Sequence, residues 1–154
     1  MGLITFIKEA GKKIFSKKEE EAPADEKATL KASALLAHVQ SLGLPFKTLK
    51  ISLKTDHTVE ISGEVEQQTD AEKIALTVGN VEGVESVDNN MTVVVPAPDS
   101  RYHTVVSGDW LSKIAKTYYG DATKYDVIFE ANKPMLQDPD EIYPGQVLRI
   151  PNLS

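Results

Sequence analysis

Residues 48–64 read TLKISLKTDHTVEISGE, and no other stretch limits the fold as much. Leu49, Ile51 and Leu53, then Val59 and Ile61, alternate with polar residues and fall on one face. A period of two belongs to strands, and the short TDH segment between the runs leaves room only for a hairpin loop. A hairpin with one apolar face needs a cover. Two flanking stretches supply it. LKASALLAHVQSLGL places Leu30, Ala34, Leu35, His38 and Leu42 along one side of a helix that Gly43 stops. QQTDAEKIALTVGN is a second helix, opened by the capping-box pair Thr69 and Glu72. VESVDNNMTVVV then returns as a strand, although Asp88-Asn89-Asn90 alone reads as a turn or bulge. The expected order over residues 28–96 is α-β-β-α-β, with the helices on one sheet face.

After a linker at 97–101, residues 102–154 predict a smaller β-α-α-β unit: YHTV, DWLSKIAKTYY, TKYDVIFEAN and QVLRI. Leu111, Ile114 and Ala115 face its core, Ser107-Gly108-Asp109 turns the chain and caps the first helix, and Pro144-Gly145 feeds the last strand. Trp110, on the first helix, is expected in the core. Ahead of both units, residues 1–15 predict an amphipathic helix from the spacing of Leu3, Ile4, Phe6, Ile7, Ala10, Ile14 and Phe15, with Gly11 closing its first segment. The charged run SKKEEEAPADEK completes residues 1–27 as a linker. The fold class is α+β: an N-terminal helix followed by the two mixed units.

Several function classes fall away on composition. The 154 residues carry a net charge of −6, which disfavours nucleic acid as a partner. With no cysteine there are no disulfides or thiolate ligands. No apolar run approaches the ~20 residues of a membrane span, and the N-terminal stretch lacks the h-region of a secretory signal, so a cytoplasmic monomer is expected. Lys8, Lys12, Lys13, Lys17 and Lys18 are diluted by Glu9 and Glu19–Glu21, so the N-terminal apolar face should pack on the protein rather than on lipid. His38, His57 and His103 show no ligand spacing. Asp138-Pro139-Asp140-Glu141 lacks the glycine of a calcium loop and reads as a solvated loop. No acid–base pair stands at a recognisable spacing, so an enzyme is not expected.

YHTVVSGDWLSKIAKTYYGD, IFEANK and IYPGQVLRIP together resemble the LysM module. That resemblance implies a shallow groove for N-acetylglucosamine chains, with Gly108, Asp109, Trp110 and Leu111 facing Asn132, Lys133, Pro134 and Met135. The alternating hairpin, the helix after it and VGNVEGVESVDNNM resemble a BON domain. The combination, with MGLITFIKEAGKK in front, resembles a bacterial family of potassium-binding proteins. The resemblance implies a K⁺ ion held by the main-chain carbonyls of Ile7, Lys8, Ala10, Gly79, Val81 and Val84, and a chain that compacts when it binds. The residues make such a site plausible. Helices ending at Gly11 and Gly79 would leave terminal carbonyls free, and the negative ends of their dipoles attract a cation. Gly79 and Gly83 permit backbone angles that a Cβ would block. Neutral carbonyls suit a monovalent ion, whereas Ca²⁺ wants carboxylates and Mg²⁺ retains water. The LysM unit leaves two alternatives: binding of peptidoglycan fragments, or service as a contact module for a protein partner.

Overall fold

The computed structural model describes residues 2–153. The first unit has the expected order: α2 (Ala24–Ser41), β2 (Thr48–Leu53), β3 (Thr58–Gln67), α3 (Gln68–Gly79) and β4 (Ser86–Val95). β2 and β3 pair antiparallel with Ile51 opposite Ile61, and β3 runs parallel to β4 with Val59 opposite Val87. That register sends Ile51, Val59, Ile61, Val65, Val87 and Met91 to one face, where they form a single core with Leu35 and Val39 of α2 and Ile74, Ala75 and Val78 of α3. Asp88, Asn89 and Asn90 are strand residues inside β4, not a turn, and Asn89 is buried. The opposite sheet face is polar, and Lys54 there bridges Asp88 and Glu60.

The N-terminal helix expected over residues 1–15 does not form. Leu3–Thr5 is a strand, β1, that pairs antiparallel with the start of β4, Ile4 opposite Val87. The sheet order is therefore β1-β4-β3-β2. The segment LITF fits helical spacing and strand alternation equally, and a short isolated helix is marginal in water. Pairing with β4 decides: Leu3 and Thr5 face out, while Phe6 is buried in the core of the first unit. The expected linker also carries structure, a short helix α1 (Lys17–Glu21) opened by Ser16 and Glu19, and then the first turns of α2. The cap of α3 lies two residues earlier than expected, with Gln67 and Asp70 as the reciprocal pair; Thr69 is exposed and Glu72 is buried.

The second unit comprises β5 (Arg101–Thr104), α4 (Leu111–Tyr119), a 3-10 turn over Ala122–Lys124, α5 (Tyr125–Ala131) and β6 (Val147–Ile150), with β5 and β6 antiparallel. Leu111, Ile114 and Ala115 meet Ile128, Leu136, Leu148 and Ile150 in its core. Trp110 is not in that core; it is the N-cap residue of α4, is 56% exposed, and has the Lys113 ammonium over its ring. Nor does Asp109 cap α4 by its side chain. Its carboxylate accepts from Val106 N–H and from His103 Nε2, holding the turn against β5. All four residues of β6 are buried rather than alternately exposed. Leu148 and Ile150 serve the unit's own core, while Val147 belongs to the core of the first unit.

Candidate cation site

Main-chain hydrogen bonds join the N-terminal segment to the loop after α3. Phe6 N–H donates to Glu85 O at 2.7 Å, Gly83 N–H to Lys8 O at 2.7 Å, Lys12 N–H to Asn80 O at 2.9 Å, and Glu82 N–H to Lys12 O at 2.9 Å. Lys12 and Val81 thus form an isolated parallel bridge. Two glycines permit this approach. A Cβ on Gly79 would lie 1.9 Å from Phe6 Cζ, so the ring packs where any side chain would stand. Gly11 has φ +106°, and a Cβ there would meet Asn80 O at 2.7 Å. Gly79 does not take a positive φ, so its role is space rather than backbone angle; Gly83, at φ +102°, is the one that turns the loop.

The six carbonyl-bearing positions expected from sequence lie on these two joined stretches. Ile7 O accepts from Ala10 N–H, Lys8 O from Gly83 N–H, and Val81 O from Val84 N–H. Each retains a second lone pair. Among the described residues, the carbonyls of Ala10, Gly79 and Val84 accept no hydrogen bond, and Gly79 and Val84 are buried residues. Buried carbonyls without donors are uncommon and costly, which fits oxygens kept for a cation. The helix-dipole contribution comes from α3 alone, because no helix ends at Gly11. Among the described residues, no group of three or more His, Asp or Glu could hold a metal ion. His57 is a participant that sequence reading missed: its Nδ1 donates to Gly83 O at 2.9 Å and braces the loop from the hairpin. No periodicity marks such a residue.

The loop also borders the second unit. Asn80 docks on Val147 as a strand would, accepting from Val147 N–H at 2.9 Å and donating to Val147 O at 2.8 Å. Farther up α3, the Glu72 carboxylate accepts from Arg149 Nε at 2.9 Å and from Ser100 N–H and Oγ. This ion pair is buried, with side chains 2% and 7% exposed. Tyr102 lies beside it, and burial, together with the Glu72 charge, pushes its hydroxyl well above the ordinary tyrosine range.

The expected glycan-groove residues divide. Gly108 and Trp110 are exposed, and Leu111 is core. Asn132 is buried and bonds to Ile128 O, Arg149 O and Arg149 N–H, bracing α5 against β6. Lys133, Pro134 and Met135 line a cleft with Lys73, Leu76 and Thr77 of α3. That loop therefore turns toward the first unit.

The BON domain family matches residues 27–95, and the LysM domain family matches residues 103–151. The fold and these matches thus define a two-module protein, a BON domain followed by a LysM domain. Over 152 residues, 98% of this chain and 99% of the relative, the chain is 42% identical to the potassium binding protein Kbp of Escherichia coli O6:H1. The chain belongs to the Kbp family. An uncharacterised protein of Deinococcus radiodurans is 34% identical over 110 residues, covering 64% of this chain and 43% of that one. An esterase of Mycobacterium tuberculosis matches at 47% over 53 residues, only 11% of its length. Among the described residues, no helix is long and apolar enough to cross a membrane.

Proposed function

We propose that this chain binds K⁺ between its N-terminal segment and the loop after α3, through main-chain oxygens of Ile7, Lys8, Ala10, Gly79, Val81 and Val84. The reading makes it a cytoplasmic ion sensor or buffer in ionic stress, without enzymatic activity. One observation carries it: two stretches about seventy residues apart are laced together by backbone hydrogen bonds and still leave the Ala10, Gly79 and Val84 carbonyls without donors among the described residues. The full-length likeness to a potassium binding protein supports the choice of ion. A bound cation supplies positive charge to oxygens that no amide satisfies. The chain's part is to fix those oxygens, by Phe6 seated on Gly79 and by the Lys12–Val81 bridge.

Binding stabilises the joined form by RT ln(1 + [L]/Kd) and so shifts the population from open to compact. Calorimetric titration of KCl into the protein in choline buffer should give saturable heat, and NaCl should give less. No heat from a folded protein would overturn the proposal. Deleting residues 2–11 should abolish the heat.

The exposed Trp110 ring supports a second reading, in which the LysM module holds peptidoglycan fragments or a protein partner. Retention on purified sacculi that is lost in Trp110→Ala would support the glycan form, and absence of retention would remove it.

A further inference from the structure

A cleft of about 380 Å³ lies between β1, the start of α3 and β5, and none of the six carbonyl-bearing residues lines it. One wall is a strand edge. Asn89 N–H donates to Gly2 O and Phe6 N–H donates to Glu85 O, which fixes the phase of the β1–β4 ladder. Leu3 and Thr5 therefore stand in non-hydrogen-bonded pairs and direct their N–H and C=O groups away from β4. No further strand takes them, because β1 is the edge of its sheet. Both residues line the cleft. The floor carries polar side chains. Asn89 sits on the inner face of β4 between Val87 and Met91, and is 6% exposed. Its Oδ1 accepts from Met91 N–H, and its Nδ2 has no acceptor among the described residues. Gln68, 7% exposed, donates through Nε2 to Glu72 and Asp99, and its Oε1 has no donor among the described residues. The unpaired side-chain atoms that are wholly enclosed are Thr77 Oγ1 and Gln146 Oε1; Asn89 Nδ2 and Gln68 Oε1 are not among them, so both keep accessible surface. Gly2, opposite Asn89, leaves the space beside it open: a Cβ there would meet no atom within 4 Å.

We propose that this cleft binds a short extended peptide with a basic residue, added to β1 as a further strand. An unpaired strand edge offers N–H and C=O groups in alternation, a pattern that another main chain matches and a simple amine does not. β1 spans Leu3–Thr5, so it pairs with a peptide of about three residues. The peptide residue opposite Ile4 points to the inner face and enters the cleft, because side chains alternate along a strand. There a primary-amide side chain accepts from Asn89 Nδ2 and donates to Gln68 Oε1. Charge selects the neighbouring residue. Glu72 is neutralised by Arg149. Asp99, exposed at the rim, accepts from the Gln68 amide and has no cation paired to it among the described residues. A lysine or arginine of the peptide supplies that cation.

The test is titration of the ¹⁵N-labelled full chain in constant KCl, read at the Leu3 and Thr5 main-chain amides and the Asn89 side-chain amide. The probe is valyl-glutaminyl-lysine, acetylated and amidated so that only the lysine is charged. One control replaces the lysine by glutamate, a second carries N-methyl groups on its main chain, and a third is free lysine. Saturable shifts of all three signals are expected with the probe, at least ten-fold weaker with each control. Gly2→Val fills the open space beside Asn89 and should weaken the probe at least ten-fold at an unchanged melting temperature, since its Cβ meets nothing. Asp99→Asn, at an exposed position, should remove the preference for lysine over glutamate. Equal binding of the N-methylated peptide overturns strand addition, and equal binding of the glutamate peptide or of free lysine overturns the ligand class. Shifts of Leu3 and Thr5 that grow with protein concentration in the absence of peptide mean that a second copy takes the edge, and overturn the peptide as occupant. No saturable shift in any arm overturns the site.

Discussion

Two seams meet at α3, and they are built from different material. The seam to the N-terminal segment is main chain on main chain: Lys8 with Gly83, Lys12 with Asn80 and Glu82, and Phe6 N–H with Glu85 O. The seam to the LysM unit is side-chain chemistry: Glu72 with Arg149, and the Asn80 amide with Val147. A backbone seam tolerates most substitutions but fails where a new Cβ blocks the approach. A side-chain seam fails when either partner is removed. Point mutation should therefore separate stability from cation binding.

The largest effect should come from Arg149→Met. It leaves the buried Glu72 carboxylate without its partner, and a broken buried pair costs about 3–5 kcal/mol. Urea unfolding measures the loss, while K⁺ affinity of the folded fraction should stay within a few-fold. Adding Glu72→Leu should recover most of the stability, because an apolar replacement leaves no orphan charge. If the single variant instead loses K⁺ binding and keeps its stability, the division between the seams is wrong.

Gly79→Ala comes next and should act in the opposite sense. The new methyl overlaps the Phe6 ring and displaces it, an overpacking that costs about 1–3 kcal/mol. Calorimetry should show K⁺ affinity lowered about ten-fold or more, the equivalent of ~1.4 kcal/mol. Limited proteolysis should cut the released segment near Lys8 and Lys12 sooner than in the parent.

A smaller effect depends on pH. The His38 imidazole is held below its ordinary value by burial first and by Lys12 second. The unfolded chain then takes up the proton near pH 6.5, before the folded chain does. Stability contributed by neutral His38 is present above about pH 6.5 and is lost as pH falls below it. The urea midpoint measured at about pH 7.5 and about pH 5.5 should fall on acidification, and His38→Gln should flatten that fall. The smallest change belongs to Ile7→Ala and Lys8→Ala. They keep the carbonyls and should alter K⁺ affinity by less than about threefold, or ~0.6 kcal/mol. A larger loss would mean that the side chains contribute to binding.

The sheet of the first unit was legible because its order is written locally. Alternation over 48–64 gives the hairpin and its inner face, and the register places Ile51, Ile61 and Val87 there as their spacing requires. The N-terminal segment was misread because LITF satisfies two periods at once. The choice rests on β4, more than eighty residues away. Trp110 was misplaced because aromatic character does not tell which side of a helix start faces out. The six candidate carbonyls come from family resemblance, since backbone oxygens leave no trace in residue type. What residue type did hold was Gly79 and Gly11, whose small size matches the close approach. Glu72 and Arg149 lie 77 positions apart, and only an arginine in an otherwise apolar last strand hints at a buried partner.

β1 pairs with Ser86, Val87 and Asp88 of the ten-residue β4, and Gly2 O accepts from Asn89 N–H just beyond them. Whatever peels the first residues away would extend the uncovered edge of β4 down to Ser86, in line with the exposed Val94 and Val95 at its far end. An edge of that kind is a template for pairing with another chain. Leu3–Thr5 therefore shortens the open edge of the sheet, and any condition that frees it should favour dimers or larger aggregates at high protein concentration.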